Sequence, residues 1–227
     1  MPEKTMVELL PPSGVNSLKQ ILRFGDVLGT YGRVRIPQDI WPPWSSIPKA
    51  AAYHAIRKVQ RNAKYMGKAL YPKPEAWRLT HVRMVLGNPR EQEKPIWEVT
   101  FPHAQWVGLD DLIGKEVIVC RPQAVLNLTN MTEEAQRIVD NESGYDVSEL
   151  LSFAASALLG EENERFLRFD KLKRYVCSTG VAKLIHTGND AASKIFPFNM
   201  EWYSAHPAMY ASFGRLYQTY LIHQATL

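Results

Sequence analysis

Arg78-Leu-Thr-His-Val-Arg-Met-Val-Leu86 is followed by Gly87-Asn-Pro89, a charged loop as far as Pro95, and then Ile96-Trp-Glu-Val-Thr-Phe101. Both extended runs alternate at period two, which is the signature of strands. In the first, Val82, Met84 and Leu86 share one side, while His81, Arg83 and Val85 share the other. In the second, Trp97, Val99 and Phe101 share a side. The Gly-Asn-Pro turn between them predicts an antiparallel hairpin. Its His81 and Arg83 face reads as an exposed polar strand face.

Working outward on the N-terminal side, Val27 to Ile36 reads as a strand whose Arg33 and Arg35 alternate with Val34 and Ile36, giving one wet, basic face. Before it, Val15, Leu18, Ile21 and Leu22 have helical spacing, with Asn16 or Ser17 as cap and Gly25 as stop. Residues 1–14, with Pro2, Pro11, Pro12 and Gly14, read as an arm or loop. On the C-terminal side, Leu109-Asp-Asp-Leu-Ile113 reads as a helical turn. Glu-Val-Ile-Val-Cys at 116–120 is apolar on both sides after its first residue, as an interior strand is.

Between these strands lies the most one-sided part of the chain. From Ile40 to Pro74 there is no Asp or Glu, but there are seven cations: Lys49, Arg57, Lys58, Arg61, Lys64, Lys68 and Lys73. Arg57, Arg61, Lys64 and Lys68 follow at steps of four, three and four, which puts them on one face of a helix. Tyr53, Ile56, Val59 (or Gln60), Ala63 and Met66 fall mostly on the other side. The helix is predicted from about Pro48 to Ala69, stopped by Tyr71-Pro-Lys-Pro74. Like charges at this spacing repel by a few tenths of a kcal/mol per pair, roughly. A polyanion turns that cost into a gain by releasing its condensed counterions. Trp41-Pro-Pro-Trp44 sets two large rings just before the helix, suited to core packing or to stacking on bases.

Beyond residue 129 the pattern turns helical. Thr132 is the expected cap of a helix opening with Glu133 and Glu134. Asp146-x-x-Glu149 is a capping box ahead of an apolar stripe from Val147 to Leu159. Val181 to His186 continues a helix that Gly188 ends, and a last helix is predicted from Pro207 to about Gln224. The division expected is a basic α/β part at 1–128 and a helical part at 129–227.

Composition narrows the function. The chain has 227 residues, 45% hydrophobic and 22% charged, which suits a globular protein with a real core. Residues 1–74 hold twelve Lys and Arg against four acids, a balance of +8, and the remainder holds fifteen against nineteen, so the net is +4. This asymmetry fits a nucleic-acid surface in the first part. No apolar run is long enough to span a bilayer, no leader opens the chain, and a cytoplasmic location is expected. With Cys120 and Cys177 far apart and no histidines at ligand spacing, no disulfide framework, metal or cofactor is expected. The three glycosylation sequons at Asn127, Asn130 and Asn141 read as coincidence in that compartment.

No enzyme motif stands out. Cys177-Ser-Thr-Gly-Val-Ala-Lys183 has the outline of a phosphate-binding Cys loop, but Lys stands where a guanidinium fork is needed, so a buried structural thiol is expected. Asp110 and Asp111 are paired acids of a solvated turn rather than a metal site. The expectation is therefore an α+β protein: a small, mainly antiparallel sheet with one long basic helix, followed by a helical C-terminal part. Its expected function is non-catalytic binding of nucleic acid, RNA favoured, as a subunit of a larger nucleoprotein assembly with other protein subunits and no membrane. Phosphates would meet Arg57, Arg61, Lys64 and Lys68, with Arg33, Arg35 and Lys49 beside them. One alternative is a structural subunit of a viral particle or large complex. Another is a small metal-independent ribonuclease using His81 as base with Arg83 and Tyr31 near it.

Overall fold

The computed structural model describes residues 5–10, 14–31, 57, 70–71, 78–100, 102–123, 125–143, 175–188, 205, 207–212 and 217–222. The strands are β1 (Thr5–Leu10), β2 (Val27–Thr30), β3 (Leu70–Tyr71), β4 (His81–Val85), β5 (Ile96–Val99), β6 (Ala104–Val107), β7 (Val117–Pro122) and β8 (Tyr217–Ile222). The helices are α1 (Val15–Ile21), α2 (Leu128–Asp140), α3 (Cys177–Gly188) and α4 (Pro207–Ser212), with a 3-10 turn at Leu109–Leu112.

The eight strands form one sheet in the order β3-β1-β8-β7-β2-β4-β5-β6. From β8 to β6 every neighbour is antiparallel, and β1 runs parallel to both β8 and β3. The fold is α+β. The hairpin forms as its alternation predicts, from His81–Val85 to Ile96–Val99, with Met84 opposite Trp97 and Val85 opposite Ile96. The strand at 116–120 is interior, between β8 and β2.

Alternation sorts the strand side chains onto two faces. Val27, Val82, Met84, Trp97, Val99, Ile118 and Cys120 join a core with residues of α2, α3 and α4. Leu28, Val85, Ile96, Val117 and Val119 pack with Leu18 and Leu22 at α1 and with Leu109 and Leu112 of the 3-10 turn. Both faces are covered, which is why the central strands carry few polar residues.

α3 lies close on the sheet because Gly180 has no side chain. A Cβ there would stand 2.7 Å from Val99 Cγ2 and 2.9 Å from Trp97 Cη2. Tyr210 of α4 donates its hydroxyl to the Ser178 carbonyl at 2.7 Å and ties α4 to α3.

Several local expectations are corrected. The last helix stops at Ser212, and Tyr217–Ile222 is a strand between β7 and β1. Its aromatic residues suit a pleated, half-buried surface as well as a helix, and sheet pairing decides between them. α1 starts after Gly14 rather than at an Asn16 or Ser17 cap. α2 is capped by Asn127, whose side chain accepts from the Asn130 N–H at 3.1 Å. Thr132 lies inside that helix and donates its hydroxyl to the Leu128 carbonyl at 2.9 Å. α2 ends with Glu142 in the left-handed region, at φ 48°. There Glu142 N–H donates to Val139 and Ser143 N–H to Ile138, closing the last carbonyls in a Schellman pattern. The helix expected after Asp146 lies outside the described residues.

Candidate functional site

Of the expected phosphate-contacting residues, Arg57 is described: it is helical and half-buried. Arg33, Arg35, Lys49, Arg61, Lys64 and Lys68 lie outside the described residues. Trp41 and Trp44 do too.

The described residues hold a different cluster, built on the hairpin. His81 and Arg83 stand on the face of β4 that also carries Val85. Across the hairpin is Glu98 of β5, which is itself opposite Gln105 of the edge strand β6. The expectation of an exposed polar face fails here, because Arg83 and Glu98 are buried and His81 is largely so. Burial is tolerated because each charge has a partner. His81 Nε2 lies 2.8 Å from Glu98 Oε2, and Arg83 Nε forms an ion pair with the same oxygen at 2.8 Å. Gln105 Nε2 donates to Glu98 Oε1 at 2.8 Å. At its far end, Arg83 Nη1 donates to Asp111 Oδ2 in the 3-10 turn, and Lys115 Nζ meets that oxygen at 3.0 Å.

The row thus alternates His81, Glu98, Arg83, Asp111 and Lys115, with two carboxylates facing two fixed cations. Burial alone would raise the Glu98 carboxyl. The hydrogen bond and charge of His81, the charge of Arg83 and the Gln105 hydrogen bond outweigh burial and hold it at about 2. Burial pushes His81 below its ordinary value, against the pull of Glu98 and with the repulsion of Arg83 and Lys115. Near neutral pH the pair is therefore a carboxylate and a neutral imidazole. An ionised carboxylate only accepts, so Nε2 carries the proton and Nδ1 the lone pair.

Asp111 is held down by Arg83 and Lys115 despite partial burial. Its Oδ2 is committed to both cations, and among the described residues no group of His, Cys, Asp and Glu could hold a metal ion. Tyr31 follows Thr30, which pairs with His81, and its side chain packs against the helix-covered core.

Both cysteines are buried and neither is in a disulfide. Burial pushes the Cys120 thiol up, so it is inert. Cys177 is the first residue of α3 rather than part of a loop. The far end of α3, at Gly188, packs on Met131 of α2, and α2 reaches the Leu86 carbonyl through Thr132. Gly180 lies over Val99, where β5 ends. The start of α3 is therefore at the end of the sheet where β4 begins with His81. The thiol belongs to the helix-covered core and the imidazole to the other face.

Sequence reasoning found His81 and Arg83 but missed Glu98, Gln105 and Lys115. The signal was present in the hairpin register: with Met84 opposite Trp97, the single acid of Ile-Trp-Glu-Val must reach the Arg83 strand face. Among the described residues no helix is long and apolar enough to cross a membrane. No protein-family model matches the sequence, and no curated protein matches it.

Proposed function

We propose that the protein binds nucleic acid, RNA in preference, through the phosphate backbone, as a cytoplasmic subunit of a nucleoprotein assembly. The observation that carries this reading is the acid-free stretch from Ile40 to Pro74 with its seven cations, four of them at helical spacing. Arg57 within that row is helical, as the spacing requires. The residue is half-buried, and the Nε of its guanidinium is shielded from solvent. Binding to single- and double-stranded RNA and DNA tests the reading. Reversal of Arg57, Arg61 and Lys64 to Glu abolishes binding if it is right; unchanged affinity ends it.

A second reading is favoured by the 2.8 Å His81–Glu98 contact. A neutral imidazole of fixed tautomer, backed by a carboxylate and flanked by Arg83 and Lys115, is suited to take a proton from an attacking group without a metal. On this reading the protein is a metal-independent ribonuclease. Incubation with labelled RNA in a chelator, comparing wild type with His81→Ala and Glu98→Gln, decides it: no cleavage by the wild type removes it.

A further inference from the structure

We propose that Gln105 is a positioning residue for His81: from the edge strand it fixes the plane of the Glu98 carboxylate so that one oxygen stays on the imidazole. The inference rests on the second reading for its use, but its geometry stands apart from it. The terminal torsion of a glutamate is broad and roughly two-fold, so contacts at one oxygen alone leave the carboxylate free to turn about it. Oε2 of Glu98 faces both His81 and Arg83. Oε1 meets the Gln105 amide at 2.8 Å. Arg83 cannot supply both restraints, because its other end is committed to Asp111. Glu98 and Gln105 are directly opposed in the β5–β6 register, so the amide reaches the carboxylate across the strands. An ionised carboxylate accepts only, so the amide must present its NH2 group and turn its own oxygen away.

Without that donor the carboxylate gains freedom, its bond to Nε2 weakens, and the proton on His81 is no longer confined to Nε2. Gln105 is exposed, so a replacement leaves no cavity in the core. The test is nitrogen-15 and proton NMR of the His81 ring across pH, in wild type, Gln105→Leu, Gln105→Lys and Glu98→Gln. Expected for Gln105→Leu are a mixture of ring tautomers and a lower titration midpoint, since the Glu98 bond opposes the effect of burial. Gln105→Lys, which restores a donor at the same register, returns the single tautomer. A Gln105→Leu protein with the wild-type tautomer and midpoint overturns the proposal, as does a Lys variant that fails to rescue. RNA cleavage is scored separately, so loss of the ribonuclease reading cannot be mistaken for loss of the positioning role.

Discussion

Arg121 holds Asp26 with two parallel contacts, Nε to Oδ1 at 2.8 Å and Nη2 to Oδ2 at 2.9 Å. The same Nη2 donates to the Ile21 carbonyl at the end of α1 at 2.9 Å, and the guanidinium lies 5.0 Å from the centre of the Tyr220 ring. One side chain of β7 therefore ties α1 and the turn before β2 to the C-terminal strand. Asp26 is fully buried. Asp26→Ala strands the guanidinium and lowers stability by about 3–5 kcal/mol in urea unfolding. The double change Asp26→Leu with Arg121→Met loses less, because it removes both charges together. A double variant less stable than Asp26→Ala would show that the pair stabilises by more than mutual compensation.

Acid unfolding separates two limbs. Buried neutral His81 has a folded pKa below its unfolded value, so the unfolded chain binds the proton first. Stability is full above the ordinary histidine value of 6.5 and falls as pH drops through the lower folded value. Glu98, held at about 2 against an ordinary 4.5, contributes stability that is full above 4.5 and is lost as pH falls toward 2. In chemical unfolding across pH, His81→Gln flattens the upper limb and Glu98→Gln the lower one. Asp111, also held down, leaves a residual acid loss, so the contradiction would be a Glu98→Gln protein whose loss below pH 4.5 is as large as that of the wild type.

The close approach of α3 is tested at Gly180. Gly180→Ala drives a methyl into Val99 and the fully buried Trp97 ring, and costs about 1–3 kcal/mol by overpacking. Thermal unfolding followed by tryptophan fluorescence reads both the loss and the displaced ring. An unchanged midpoint means that α3 does not lie where Gly180 alone allows it.

The ends of α2 give opposite signs. Asn127→Ala removes the cap and costs about 1 kcal/mol. Glu142→Gly relieves a left-handed non-glycine residue and gains about 1 kcal/mol. Equal losses from both changes, in the same denaturant titration, would exclude this account of the helix ends.

The hairpin and the interior strand at 117–122 were legible because their alternation is strong and a turn of Gly-Asn-Pro joins the first pair. Tyr217–Ile222 was not, because six residues of Tyr-Gln-Thr-Tyr-Leu-Ile also fit a helix, and the neighbours that claim them as a strand, β1 and β7, are distant in sequence. The cap of α2 was misplaced by five residues, since Thr132 before two glutamates and Asn127 before Leu128 are both sound local choices. His81 and Arg83 share a strand face by alternation, and alternation alone predicts that such a polar face is wet. Burial became acceptable only with Glu98 and Asp111, and Asp111 enters from a turn that no local pattern points at the sheet. The spacing that proposes phosphate contacts falls in a stretch of which Arg57 alone, among the proposed residues, is described.

Affinity for duplex DNA measured over a range of salt concentrations tests phosphate contact by the 57–68 cations most directly. If Arg57, Arg61, Lys64 and Lys68 each neutralise a phosphate, log K falls linearly with log salt at a slope of about −3 to −4. Arg57→Glu with Arg61→Glu and Lys64→Glu removes the binding and its slope. Affinity that does not change with salt, or that survives the triple reversal, contradicts the account.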